Sequence, residues 1–283
     1  MGPYERRPAR PPRRASSAVL TRGKPGSIKM LMGLRHPDVP TFPEFWSFPG
    51  GGVSKEDIEY ARKSSDHGDD NQSLESLVTL FREVVEETGL SKSEDGRWAI
   101  VPPHVRKKMT EGPGAWIEAL AEGMIKMDAS GASLVTERTT PPLAPVRYTN
   151  RFYHIHLGED APEPEHPPGR SEFTEFRWWD PEDILEQWEQ GTARMAPPQV
   201  TFMRDIVGRC REGRGILDIL SELAGEPPIG PHKIEFAPGV ECLPIPTATL
   251  PPSTHTNCFV IGQGDELLLV DPAIQDEEDQ AII

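Results

Sequence analysis

Cysteine, positive charge and long apolar runs are all scarce in this 283-residue chain. Its three cysteines, Cys210, Cys242 and Cys258, form no CxxC pair, so we expect reduced thiols in a cytoplasmic protein. The formal net charge of −15 argues against a nucleic-acid surface, because phosphate backbones attract Lys and Arg. No apolar run approaches the ~18 residues of a membrane span, so we expect no membrane contact.

Apolar residues are also few, at 36%, while proline is frequent, at 31 residues. The length suits one large domain or two smaller ones, with long irregular connections between elements. Residues 1–16 are rich in Arg and Pro and poor in apolar groups, which predicts a disordered basic tail. An export signal or an organelle presequence is the less favoured interpretation, because the apolar centre of a signal is missing and Pro breaks a helix. Ordered structure is expected to begin near Ser17.

Two short strands are predicted next, "SAVLT" and "SIKMLMGLR", with the Gly- and Pro-containing turn "RGKPG" between them. The chain then reaches "WSFPGGG", which ends in Gly50, Gly51 and Gly52. Glycine is needed where the backbone takes positive φ or where another group comes close to it. These three residues therefore predict a sharp loop at which some group approaches the main chain.

The following segment has the pattern of an amphipathic helix that ends at Gly89, a residue suited to a C-terminal cap. Its apolar positions are Leu74, Leu77, Val78, Phe81, Val84 and Val85. At 100° per residue, Glu83, Glu86 and Glu87 fall within one narrow arc on the opposite side. Arg82 stands four residues before Glu86, at the spacing of a helical salt bridge.

The acidic arc allows two interpretations. An amphipathic helix with a solvated acidic face is the common one. However, Glu83 and Glu87 are like charges four residues apart and repel each other unless a cation is present. A hard divalent ion would remove that repulsion, and Mg²⁺ commonly binds carboxylates together with substrate phosphates.

The stretch "REVVEETGL", from Arg82 to Leu90, resembles the core of the Nudix box, R-E-U-x-E-E-x-G-U with U apolar, and every fixed position matches. The full box begins with G-x5-E-x7, and Gly51 resembles its first glycine. Here the spacing departs from the family, because about seventeen extra residues lie between Gly51 and Arg82. The early glutamate position, counted back from Arg82, holds Leu74. In the family, the glutamate at this position often has a structural role rather than the role of a metal ligand.

The resemblance implies a Nudix α/β/α sandwich with a mixed sheet. It also implies hydrolysis of a nucleoside diphosphate linked to a group X, with Mg²⁺ or Mn²⁺ as cofactor. Glu83, Glu86 and Glu87 match the family's metal ligands, and Arg82 is expected to orient a glutamate. The catalytic set would then be Arg82, Glu86, Glu87 and a general base. The substrate is a small-molecule diphosphate, and the oligomeric state is left open.

Two further assignments follow from the same resemblance. Glu172 precedes "FRWW", where several family members place the general base, while Glu175 is its rival and either could be a solvated loop acid. The glycines 50–52 are expected to contact substrate. His154 and His156 alternate on the predicted strand "FYHIHL", where strand packing is favoured over a metal pair.

The order of later motifs narrows the resemblance to the family branch that contains coenzyme A diphosphatases. These are "RYTNRFYHIHL" and "EFTEFRWWDPEDILEQWEQGTARMAPPQVTFMRDI". The Nudix domain would span 17–210, with insertions at about 54–73 and 98–140, the second of which caps the pocket. Coenzyme A or an acyl-CoA is the implied substrate. The alternative is a non-catalytic nucleotide- or CoA-sensing module.

The C-terminal part has a different character. Residues 211–232 are interpreted as a linker, and three strands are predicted after it. "THTNCFVIG" followed by "LLLVDPA" resembles the entry of a metallo-β-lactamase fold. The HxHxDH metal motif of that family does not follow, so 233–283 is expected to be a truncated β-rich fragment of such a domain, without a hydrolase site of its own.

Overall fold

The computed structural model describes residues 11–64, 71–112, 114–128, 130–141, 146–226, 234–249 and 253–280. Within these ranges the chain forms thirteen strands and eight helices. The strands are β1 (Arg13–Arg22), β2 (Lys29–Arg35), β3 (Trp46–Ser47), β4 (Gly50–Gly52), β5 (Leu90–Lys92), β6 (Trp98–Ile100), β7 (Ala132–Thr139), β8 (Tyr148–His156), β9 (Phe173–Trp179), β10 (Ile234–Ala237), β11 (Val240–Pro246), β12 (His255–Gln263) and β13 (Glu266–Val270). The helices are α1 (Lys55–Ser64), α2 (Asn71–Thr88), α3 (Pro103–Met109), α4 (Ala115–Ala121), α5 (Pro181–Glu189), α6 (Pro197–Arg211), α7 (Ile216–Leu223) and α8 (Glu277–Gln280).

The main sheet is mixed, as predicted. Its described strands number seven, in the order β3-β2-β1-β8-β7, with β4 paired to β1 and β9 paired to β2. β1 and β8 run parallel over the whole stretch from Arg13↔Tyr148 to Thr21↔His156. β4 pairs antiparallel with β1 through Ser16↔Gly51, which places the glycines against the centre of the sheet.

Helices cover both faces of this sheet, because successive strand residues point to opposite sides and both sides are apolar. On β1, Val19 faces one layer of the core, while Ala18 and Leu20 face the other. The first layer holds residues of α5, α6 and α7, and the second holds residues of α2. The predicted α/β/α sandwich is confirmed. On α6, four apolar residues are buried in the first layer, namely Val200, Phe202, Met203 and Val207.

Ordered structure begins earlier than predicted. β1 starts at Arg13, four positions before Ser17, so the predicted tail 1–16 extends too far, and residues 1–10 lie outside the described residues. The backbone N–H of Arg13 donates to Arg147 O at 2.8 Å, and Arg14 forms an ion pair with Glu75. Backbone pairing and this ion pair hold polar residues in a strand that composition alone assigned to a tail.

The predicted linker 211–232 contains the helix α7, so this prediction is wrong. Ile219, Leu220 and Leu223 are buried in the same core layer as α6. The linker prediction rested on "GEPPIGPHK", at the end of this range, and left the apolar spacing of "ILDILSEL" unused. The core of the domain therefore extends beyond Cys210.

The first predicted insertion contains a helix, whereas the second ends in a strand of the main sheet. The range 54–73 contains α1, and the range 98–140 contains α3 and α4. Its last part is not an insertion, because β7 forms an edge strand of the main sheet, pairing antiparallel with β8. The residues of β7 are therefore a strand of the domain, held by pairing with β8 in "RYTNRFYHIHL".

The C-terminal segment forms its own sheet, in which the described strands number four, in the order β10-β11-β12-β13, rather than the three predicted. Arg204 Nη1 on α6 and Glu235 Oε2 on β10 lie 2.6 Å apart, which joins this sheet to the sandwich. The residues of β13 are exposed on both faces. Among the described residues, no helix has the length and apolar character needed to cross a bilayer.

Candidate active site

The helix α2 presents the predicted two faces. Leu80 and Val84 are buried against the sheet, at 0% and 1% exposure. The helix ends as expected at Gly89, whose φ is +75° and whose N–H donates to Val85 O at 3.0 Å. The glutamates 83, 86 and 87 therefore lie on the side of the helix turned to the glycine strand.

The glycine strand β4 approaches these carboxylates closely. The N–H of Gly50 donates to Glu87 Oε2 at 2.8 Å. A Cβ added to Gly51 would lie 2.1 Å from Glu83 Oε1, closer than any side chain tolerates. At Gly52 the nearest atom to an added Cβ would be Arg14 O at 4.0 Å, an ordinary contact. The groups that approach the main chain here are thus the carboxylates of α2.

Arg82 connects the acidic residues to one another. Its Nη1 lies 2.9 Å from both Glu83 Oε1 and Glu86 Oε2, which confirms the salt bridge predicted from helical spacing. Its Nε and Nη2 donate to the two carboxylate oxygens of Asp57, at 2.9 and 3.0 Å. Arg82 Nη2 also donates to Gly52 O at 3.3 Å. The guanidinium therefore fixes the carboxylates relative to β4.

Asp57, on α1, is the residue that the sequence analysis missed. Its side chain is fully buried and accepts hydrogen bonds from Ser54 N and Thr79 Oγ1 as well as from Arg82. Burial raises the pKa of Asp57, but hydrogen bonding and the charge of Arg82 outweigh it, and the pKa lies below its ordinary value. Asp57 therefore stays ionised.

A signal for Asp57 was present in the sequence. The box places its first carboxylate six residues after the first glycine, and six residues after Gly51 stands Asp57. Counting back from Arg82 instead led to Leu74, because the extra residues lie between Asp57 and Arg82. The structure restores the contact through space, since Asp57 pairs with Arg82.

The glutamates of α2 have raised pKa values. Burial raises the pKa of Glu83 to about 7 against the lowering effect of Arg82, and the charges of Glu86 and Glu172 add to it. Burial also raises the pKa of Glu87 well above its ordinary value, with Glu83 and Glu172 adding to it. The pKa of Glu86 is raised by burial in the same way. Glu87 is buried, and the side chains of Glu83 and Glu86 are 14% and 22% exposed. Such desolvated, mutually repelling carboxylates favour a proton or a cation between them.

This donor set fits a hard divalent cation in its chemistry, because carboxylate oxygens are the ligands that Mg²⁺ and Mn²⁺ prefer. Within the part of the chain that the structure describes, no three His, Cys, Asp or Glu side chains are gathered into a ready ligand cluster. Arg82 holds Glu83 and Glu86, and Gly50 holds Glu87. A cation would therefore compete with Arg82 for two of the three carboxylates.

The two candidate general bases have different surroundings. Glu172 lies close enough for its charge to raise the pKa of both Glu83 and Glu87. Its Oε2 is 3.5 Å from Arg35 Nη2. Glu175 lies on β9, and its Oε1 is 2.6 Å from Arg177 Nη2. The structure thus brings Glu172 to the carboxylate cluster and places Glu175 in an ion pair of its own.

A cleft of about 320 Å³ opens beside the carboxylates. Arg82, Glu83 and Glu86 line it from α2, while Met109 of α3 and Trp116 of α4 line it from the inserted helices. A second cleft of about 310 Å³ lies at the loop before β9. The first cleft therefore adjoins the acidic face of α2, and the second does not contact it.

The two strand histidines share one hydroxyl. Thr21 Oγ1 lies 2.8 Å from His154 Nε2 and 3.0 Å from His156 Nδ1. Burial lowers the pKa of His154 to about 4, with His156 adding to the effect, so His154 is neutral at physiological pH. These contacts match the favoured prediction of strand packing.

Comparison with solved structures identifies the fold. A Nudix hydrolase from Alicyclobacillus acidocaldarius is similar over 78% of this chain and 99% of its own, with a TM-score of 0.62 and 22% identity. The ADP-ribose complex of the NUDIX domain of Shewanella oneidensis NrtR is similar over 72% of this chain and 89% of its own, with 14% identity and a TM-score of 0.38. A bifunctional NMN adenylyltransferase/ADP ribose pyrophosphatase from Francisella tularensis covers 72% of this chain and 43% of its own, with 13% identity and a TM-score of 0.40.

No protein-family model and no curated protein sequence matches this chain. The first of the structural similarities carries the conclusion about architecture, because it spans nearly all of the other protein. The chain has the Nudix hydrolase fold.

Proposed function

We propose that this protein is a Nudix-type hydrolase that cleaves a diphosphate linkage in a nucleoside-diphosphate-X substrate. The observation that carries the proposal is the desolvated cluster of Glu83, Glu86 and Glu87 against the glycine strand. Such a cluster lowers the stability of the fold, because each carboxylate is desolvated and repelled by its neighbours. Groups that cost stability in this way are typical of functional sites.

Glu83, Glu86 and Glu87 would hold Mg²⁺ or Mn²⁺. A bound divalent cation supplies neutralisation of phosphate charge and a lower pKa for an attacking water. Arg82, anchored by Asp57, orients Glu83 and Glu86.

Glu172 is the general base in this proposal, because it is the loop carboxylate whose charge reaches the cluster. It would take a proton from the attacking water at a carboxylate oxygen. The backbone of the glycines 50–52 lets the substrate phosphates approach the same point. The cleft between α2 and the inserted helices would receive the group X, with Met109 and Trp116 as its apolar wall.

Coenzyme A or an acyl-CoA is the substrate that we propose within this class, on the resemblance to the coenzyme A diphosphatase branch. The alternative is a module that senses a nucleotide or CoA without cleaving it. The pairing of Arg82 with both Glu83 and Glu86 favours that alternative, because the guanidinium already supplies them with a positive charge. A cytoplasmic location agrees with the free cysteines.

The test is a panel of diphosphates, including coenzyme A and ADP-ribose, incubated with Mg²⁺ or Mn²⁺ and analysed by mass spectrometry. Glu86→Gln and Glu87→Gln should each lower the rate by orders of magnitude while the melting temperature is retained. Glu189→Gln, a change at an exposed residue of α5, is the control. Hydrolysis that persists in either site variant, or in the presence of chelator, contradicts the mechanism. Binding measured by calorimetry without any product supports the sensing module.

We also propose that the C-terminal sheet belongs to a metallo-β-lactamase-like domain. The support is the β12–β13 hairpin, which is followed directly by Asp271. This segment is expected to hold no catalytic metal of its own. Metal analysis should therefore give the same zinc content for residues 1–225 and for the 283-residue chain, and bound zinc that is lost on truncation would contradict this expectation.

A further inference from the structure

Arg106 is a buried arginine on α3, outside the box motif, with 2% of its surface exposed. Its Nη2 donates to Glu86 O at 3.0 Å and to Glu87 O at 3.2 Å. Its Nη1 donates to His166 O at 3.0 Å. The acceptors of these hydrogen bonds are all backbone carbonyls, and two of them belong to the candidate metal ligands.

Arg106 supplies hydrogen-bond donors to carbonyls in the last turn of α2, the helix that carries the box core. The last carbonyls of a helix have no partner within the helix and lie at the negative end of its dipole. A guanidinium placed there supplies both hydrogen-bond donors and a positive charge. Burial lowers the pKa of Arg106, although the charge of Glu165 opposes the shift. The desolvation is therefore offset by the carbonyls of α2 rather than by a direct salt bridge.

The other side of Arg106 holds the segment that leads to the candidate base. Glu165 N donates to Thr88 O at 2.8 Å, and the ring of His166 stacks on Phe176 at 4.8 Å between centroids. The same segment continues to Glu172. Arg106 thus connects the end of the carboxylate helix with the approach to Glu172.

Gly89, the last glycine of the box, leaves space for the Arg106 guanidinium. A Cβ on Gly89 would lie 2.9 Å from Arg106 Nη1 and 3.2 Å from its Cζ. Gly89 is therefore required for two reasons, its positive φ and the passage of the guanidinium. The second reason depends on Arg106 of α3, sixteen positions beyond Leu90 at the end of the box core.

We propose that Arg106 is a positioning residue of the hydrolase site, and this inference rests on the proposed function. Arg106 holds the backbone of Glu86 and Glu87 at a fixed distance from the segment that carries Glu172. It touches neither the substrate nor the reacting atoms. Its loss would let the carboxylates and the base move relative to each other, which lowers turnover more than substrate binding.

Arg106→Lys is the decisive variant, because it keeps the positive charge but cannot reach three carbonyls with a planar fork. We expect kcat to fall by about tenfold or more, since a misplacement of 1 Å can cost on the order of a hundredfold. KM should stay close to the wild-type value. The affinity for Mn²⁺, measured by calorimetry without substrate, should also fall.

Arg138→Lys is the matched control. Arg138 is also buried, at 3% exposure, and its Nη2 donates to Asp205 Oδ2 at 2.9 Å on the other face of the sheet. This variant should lower the melting temperature while kcat and Mn²⁺ affinity stay close to wild type. An unchanged kcat in Arg106→Lys, or an equal loss in Arg138→Lys, would overturn the positioning role.

Hydrogen exchange separates this inference from the proposed function. The amides of Glu163, Glu165 and His166 should exchange faster in Arg106→Lys than in the wild type, whereas those of β1 and β8 should not change. Unchanged exchange at these three amides overturns the inference even if the enzyme is active. A wild-type protein that cleaves no diphosphate overturns the proposed function, while faster exchange and weaker Mn²⁺ binding in Arg106→Lys would still support the connection that Arg106 makes.

Discussion

Gly51 and Gly52 are neighbours on one strand, and they differ in what surrounds their α-carbons. An alanine methyl at Gly51 would meet the Glu83 carboxylate at 2.1 Å, whereas at Gly52 it would meet Arg14 O at 4.0 Å. Gly51→Ala should therefore displace Glu83 and lower turnover by about tenfold or more, because small misplacements at a reacting centre are costly. Gly52→Ala should leave turnover close to wild type.

Steady-state kinetics of the two alanine variants, with circular dichroism as a check on folding, make this comparison. Equal losses at both positions would show that β4 tolerates no side chain at all, and the specific contact with Glu83 would then be wrong.

Glu83 also predicts how stability depends on pH. Its pKa is about 7 in the folded protein against an ordinary value of 4.5, so the folded state binds more protons between these values. Protonated Glu83 therefore contributes stability that is fully present below pH 4.5, its pKa in the unfolded chain, and that is lost as the pH rises through about 7. In chelator, the melting temperature of the wild type should fall relative to Glu83→Gln across this window, and Mn²⁺ should reverse the difference.

Differential scanning fluorimetry of both proteins at the two ends of the window provides the measurement. A difference in melting temperature that does not change with pH would mean that the Glu83 carboxylate is not desolvated in the folded protein.

At the scale of elements, α7 gives the sharpest prediction. Its residues Ile219 and Leu220 are fully buried against the sandwich core. Removing them should cost about 2–5 kcal/mol each, as for other large buried side chains. A chain ending at Arg214 should therefore melt well below a chain ending at Gly225, although both lack the C-terminal sheet.

Thermal melts of the two truncated chains test this prediction, with Leu220→Ala in the full chain as an independent check. Equal melting temperatures for the two truncated chains would show that α7 adds nothing to the core.

Elements with a strong period were predictable from the sequence. α2 was predicted because its apolar residues repeat at helical spacing and Gly89 closes it. The start of α5 is also set locally, since Asp180 Oδ1 accepts from Glu182 N at 2.9 Å. The start of β1 was not predictable in this way, since its polar residues are held by pairing with β8, which is distant in sequence.

In the candidate site, too, local periodicity predicted some residues and contacts distant in sequence determine the others. The common face of Glu83, Glu86 and Glu87 follows from helix geometry alone, so it was predicted. Asp57 and Arg106 act through contacts made across inserted segments, and local periodicity carries no information about such contacts. The proposed choice of Glu172 over Glu175 likewise depends on the path of a loop.

At the scale of the whole molecule, the exposed strand β13 is the main liability. Leu267, Leu268 and Leu269 are 58%, 60% and 45% exposed, at the edge of the described C-terminal sheet. An open apolar edge strand promotes association between chains. The chain 1–225 should therefore retain the hydrolase activity of the full chain and scatter less light at equal concentration.

Leu268→Lys in the full chain supplies the matched variant, because a charge on an edge strand opposes pairing without removing the domain. It should reduce scattering as truncation does. Loss of turnover in 1–225 would instead show that the C-terminal strands contribute to the active site.

The distribution of tryptophan has a practical consequence for spectroscopy. Trp46 and Trp179 meet edge to face at 5.1 Å in the sandwich core, and Trp188 is buried beside them. The remaining tryptophans, at 98, 116 and 178, also belong to the sandwich, and the chain has six in all. Intrinsic tryptophan fluorescence therefore arises from the Nudix-fold unit, whereas far-ultraviolet dichroism reports on the strands of both units. Melting of the C-terminal sheet changes the dichroism directly, but it reaches fluorescence through Arg204, which pairs with Glu235 of β10 and lies 5.1 Å from the centroid of the Trp188 ring. The two signals together therefore resolve the unfolding of each unit in an unlabelled protein.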